Sequence, residues 1–127
     1  MQLEDIFYMS GVVGTSSTSA TPVTGEITAT LTGKIVPVPE RFILVIDSLN
    51  IANLINDGSF SLIATPASTS SGLNPITLFT VALDANETYP ESSVKNMQNI
   101  TVPAGYYLTG SAVYSQFAVN LSVHFEQ

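Results

Sequence analysis

The chain carries a single histidine, His124, and no cysteine. An imidazole acts as a catalytic base when a nucleophile and an orienting carboxylate flank it. His124 falls on the outward row of an alternating apolar/polar segment at the end of the chain, which favours a surface or interface imidazole. A zinc-type site would need further His or Cys ligands, and the sequence has none. Two carboxylates can serve glycoside hydrolysis, and the candidates are Asp47, Asp57, Asp84 and Glu87. Asp47 stands out because it interrupts an apolar odd-numbered row in "RFILVIDSLNIAN". A β-bulge, or a strand end where that row meets water, accounts for it. "LDANET" offers Asp84, Asn86 and Glu87 as oxygen ligands for calcium, but not at EF-hand spacing, and turn chemistry uses the same residues. There is no phosphate loop and no Gly-rich dinucleotide fingerprint. The expectation is a non-enzymatic protein without a cofactor.

Tyr89, Tyr106, Tyr107 and Tyr114 are candidates for an aromatic sugar platform, unsupported by any Trp. Adjacent Tyr106 and Tyr107 face opposite sides of a strand, so at most one of them joins a common patch. Three Asn-x-Ser/Thr sequons occur, at Asn86, Asn99 and Asn120. A chain this rich in Ser and Thr yields about two by chance from the motif alone.

The composition narrows the partners. Only 10% of the residues are charged and 45% are hydrophobic, against roughly 25% charged in an average domain. Net charge is −7, and the basic residues are Lys34, Arg41 and Lys95 alone. Nucleic-acid binding requires several cations to neutralise phosphates, so it is excluded as an expected function. No signal peptide is expected, because "MQLEDIFYM" has Glu4 and Asp5 where a positive region belongs. The longest apolar run, Phe42 to Ile46, is far short of the roughly 20 residues of a membrane helix. No membrane partner is expected.

The elements that must hold these residues follow from a period of two. Residues 1–25 read as an extended N-terminal arm. An apolar start, with Leu3, Ile6, Phe7, Tyr8 and Met9, precedes a Ser/Thr/Gly-rich stretch. Those five residues are candidate partner contacts, and they would equally form a first strand of the body. Residues 26–127 read as a single β-sandwich. "EITATLTGKIV" predicts a half-buried strand with Ile27, Ala29, Leu31, Gly33 and Ile35 inward. Further strands follow in "RFILVIDSLNIAN", "SFSLIAT", "ITLFTVAL" and "VKNMQNITV". "VPAG" predicts a β-turn with Pro103 at the second position and Gly105 at the fourth. In the last segment Val113, Ser115, Phe117, Val119, Leu121, Val123 and Phe125 form an inward row, on a strand expected to be central. Seven to eight mainly antiparallel strands, without helical periodicity, predict an all-β, single-domain sandwich or jelly roll.

With its apolar start, compact β body, absent cysteine, few charges, Thr-rich surface and "VPAG" before a return strand, the chain resembles the cement or decoration proteins of tailed-bacteriophage capsids. The resemblance carries over no functional residue. It implies a virion structural protein on the capsid surface, made in the host cytoplasm, that forms a homotrimer and binds the major capsid protein. The alternative, from another class, is a glycan- or receptor-binding β-sandwich such as a phage fibre module.

Overall fold

A computed structural model describes residues 5–16, 20–68, 72–90, 95–96 and 100–127, the side chains of 95 and 96 excepted. Among these residues it has eleven strands and no helix. They are β1 (Phe7–Gly14), β2 (Val23–Glu26), β3 (Thr28–Ala29), β4 (Ile43–Asn53), β5 (Gly58–Pro66) and β6 (Ile76–Leu83), then β7 (Thr88–Tyr89), β8 (Lys95–Asn96), β9 (Thr101–Val102), β10 (Tyr106–Val113) and β11 (Gln116–Glu126). One sheet runs β3-β1-β11-β4, with β7, β8 and β9 paired in succession along the far edge of β4. The second runs β2-β10-β5-β6. All pairings are antiparallel. The strand number exceeds the expected seven to eight because three of the extra strands are two-residue pieces on one edge and another is the short β3.

The core lies between the sheets. Met9, Leu49, Ile51, Phe117, Val119 and Leu121 from the first meet Phe60, Leu62, Ala64 and Leu108 from the second. The rings of Phe60 and Phe117 meet across the layers with centroids 5.7 Å apart. Gly110 makes room for that pair: a Cβ there would sit 2.5 Å from the Phe60 ring. β11 is central, between β1 and β4, as its long regular alternation predicts.

Four expectations are corrected. Residues 1–25 do not stand apart over their described part. β1 pairs with β11 through eight residues and buries Met9, which is 1% exposed, while β2 pairs with β10. The body therefore does not begin at residue 26. "EITATLTGKIV" is not one strand. The chain changes sheets at buried Ile27, and Gly33 N–H then closes a turn onto the Ala29 carbonyl at 2.7 Å, leaving Leu31 97% exposed at its tip. The final alternation is two strands rather than one. It breaks at Tyr114–Ser115, so β10 faces inward through Tyr106, Leu108 and Ala112 while Val113 points outward. In "VPAG", Tyr106 N–H donates to the Pro103 carbonyl at 3.3 Å, which makes Pro103 the first turn position and Gly105 the third. Gly105 has φ +85°, the left-handed value that the third position of a type II turn demands.

Asn53 ties the end of the sandwich together. Its buried amide donates to the carbonyls of Asn56, Leu83 and Asp84 at 2.6, 2.9 and 3.2 Å, and its oxygen accepts from Ser115 Oγ at 2.7 Å. Asn53→Ala strands those buried groups and should cost about 1–3 kcal/mol in a denaturant titration. A loss within the scatter of surface substitutions would show that water replaces the amide.

Candidate functional site

β4 and β11 do not run in continuous register. Ser48 pairs with Ser122, but Ile46 pairs with Val123, so Asp47 is the extra residue of a β-bulge. The bulge reverses which parity faces the core: Leu44 and Ile46 before it, Leu49, Ile51 and Asn53 after it. It also aims the Asp47 carboxylate outward along β11. There Asp47 Oδ2 lies 2.7 Å from His124 Nδ1, and Glu126 Oε2 lies 2.7 Å from His124 Nε2. The imidazole is largely covered, its side chain 16% exposed, and both its ring nitrogens are engaged by carboxylates.

Doubly protonated, the ring donates both N–H groups. Neutral, it can donate only one. The hydrogen bond to Asp47, then that to Glu126, therefore raises the His124 pKa above its usual 6.5, against an opposing effect of burial. The folded value exceeds the unfolded one, so the stability contributed by His124 is complete below about pH 6.5 and is lost as pH rises through the folded midpoint. An NMR titration of the His124 ring should give a midpoint above 6.5 that falls in Asp47→Asn. An unchanged midpoint in that variant would remove Asp47 as the main cause. The same pairing leaves neither nitrogen open to take a proton from the hydroxyl of Ser122, two residues away on the same face. Ser122 is instead hydrogen-bonded to Ser48.

The other sequence candidates are dispersed. Asp57 Oδ1 accepts from Ala85 N–H at 2.8 Å, and Glu87 Oε1 accepts from Asp84 N–H at 2.6 Å. These carboxylates hold loops, and Asn86 adopts φ +66° in the same turn. Among the described residues no group of three or more His, Cys, Asp or Glu is placed to hold a metal ion. The four tyrosines do not form one platform. Tyr106 is buried and donates to the Asn74 carbonyl at 3.1 Å, and Tyr89 packs on Phe79 with centroids 5.2 Å apart. Tyr107 lies on the outer face of the second sheet, and Tyr114 is in a turn.

The five apolar residues of the N-terminal segment divide by strand parity. Leu3 lies outside the described residues. Met9 is core, and Phe7 is half-buried against Phe125, with ring centroids 5.6 Å apart. Ile6 and Tyr8 are exposed and, with Leu31, border a cleft of about 460 Å³ at the β3–β1 edge. Inward of this edge, the outer face of the first sheet carries uncharged rungs. Tyr8–Ser122–Ser48, Ser10–Asn120–Asn50 and Val12–Ala118–Ala52 lie side by side across β1, β11 and β4. The sequence gives no warning of this surface, because each strand contributes only one member to a rung.

Fold and surface together define an all-β sandwich with a mostly uncharged outer sheet face, bounded at one end by a carboxylate–imidazole–carboxylate clamp. No protein-family model, curated protein or solved structure matches the chain.

Proposed function

We propose that the chain is a jelly-roll virion structural protein, a capsid cement or decoration protein that self-associates and binds the major capsid protein. The strand order carries this reading. With β7, β8 and β9 counted as one interrupted edge strand and β3 set aside, the sheets are β1-β11-β4-β7/8/9 and β2-β10-β5-β6. The chain then passes from one sheet to the other at every connection except β5 to β6. This pattern supports a double Greek-key, jelly-roll reading, an architecture used by viral capsid and lectin domains. The step from this topology to a virion is one of fold analogy, and the surface supports it. Association through a face with few charges requires few ions to be desolvated, and only 10% of this chain is charged. Ile6, Tyr8 and Leu31 supply an exposed apolar border at one edge.

A stable contact of this kind buries at least about 1,000 Å². The pure protein should run as a defined oligomer, a homotrimer, when light scattering follows size exclusion. Purified particles should contain it in stoichiometric amount, and particles lacking it should break at a lower temperature. A strictly monomeric protein with no affinity for any capsid lattice would overturn the proposal.

A further inference from the structure

We propose that the outer face of the β1–β11–β4 sheet binds a neutral sugar. A shallow cleft of about 290 Å³ there is lined by Tyr8, Thr30, Ser48, Asn50, Asn120 and Ser122 over a floor of sheet. This is about the lower limit of small-molecule sites, the size of a mono- or disaccharide rather than a larger cofactor.

Three observations fix the chemistry of the ligand. First, Asn50 and Asn120 are register partners on adjacent strands, and among the described residues nothing bonds their side-chain amides. Each amide presents a donor and an acceptor side by side, the complement of two neighbouring sugar hydroxyls. Second, Tyr8 is 65% exposed at the margin of the same cleft, which leaves its ring face open to the C–H surface of a pyranose. Third, among the described residues no carboxylate, ammonium or guanidinium group lines the cleft. A phosphate or carboxylate ligand would meet no cation there, in a chain of net charge −7. An amine or metal ion would meet no anion. What remains is an uncharged ligand rich in hydroxyl groups.

The site is inferred without resting on the capsid-binding reading, although Tyr8 borders both surfaces. Its floor is held by the Ser48–Ser122 hydrogen bond and by Thr30 Oγ1 donating to Ser10 Oγ at 3.3 Å, so the two amides are displayed from a rigid sheet. Nitrogen-15-labelled full-length protein should be titrated with lactose, maltose, mannobiose and N,N′-diacetylchitobiose to millimolar concentrations. At least one sugar should shift the Asn50 and Asn120 side-chain amide signals saturably. Tyr8→Ala, which removes an exposed ring, should weaken that binding about tenfold without changing the melting temperature, and Asn120→Ala should weaken it as well. No saturable shift with any of the four sugars would overturn the proposal. So would shifts that persist undiminished in both variants. Shifts of the same amides that depend on protein concentration without sugar would overturn it too, and would assign the face to contact between copies.

Discussion

Phe117→Ala should lower the free energy of unfolding by about 3–5 kcal/mol. Phe117 is fully buried in the central strand of the first sheet and packs on Phe60 of the second, so truncation opens a void between two layers that are both pinned by hydrogen-bonded ladders. Such layers cannot close over the gap, and the unrelieved cavity places the cost at the upper end for a core substitution. A denaturant titration measures it. Val113→Ala is the matched control. Val113 belongs to the same odd-numbered apolar series, but it is half-exposed and points away from the core. Its truncation should cost under about 1 kcal/mol. Equal costs at the two positions would show that the alternation runs unbroken through Tyr114–Ser115.

That pair of residues shows where the sequence is legible. Period-two patterning reports that a side chain alternates between faces, and it placed Phe117, Val119, Leu121, Val123 and Phe125 inward. It does not report which sheet a strand joins. β10 and β11 share a continuous alternation in sequence, yet a left-handed residue, Tyr114 at φ +70°, carries the chain from one sheet to the other and resets the phase. The same blindness applies at Ile27, where "EITATLTGKIV" keeps its alternation on paper while the backbone turns a corner. Asp47 was visible as an interruption in its row, because a charged residue among β-branched neighbours signals a bulge. Its partner was not. His124 lies 77 positions away in sequence and meets Asp47 only through the β4–β11 pairing. The paired amides of Asn50 and Asn120 were invisible for the same reason: a cross-strand rung exists only once register is set.

Removal of residues 1–14 should abolish cooperative folding. The Ser/Thr/Gly-rich composition that follows suggests a dispensable tether, but β1 lies inside the structural unit that the composition obscures. Its eight residues pair with β11 from Phe7↔Val123 to Gly14↔Gln116, and β3 pairs with its other edge. Met9 and Val13 are both core residues, and burying one large aliphatic side chain alone is worth about 1.5–3 kcal/mol. Without β1, the central strand becomes an edge over its whole length, and its row of unpaired N–H and C=O groups is opened to water or to another chain. Phe125 also loses the ring of Phe7. These losses together approach the whole stability of an ordinary domain, about 5–15 kcal/mol. The truncated chain should therefore show no sharp thermal transition, bind a hydrophobic dye and aggregate, with the full-length protein as reference. A truncated protein that melts cooperatively within a few degrees of the full chain would place β1 outside the stable body and restore the reading of these residues as a partner-seeking arm.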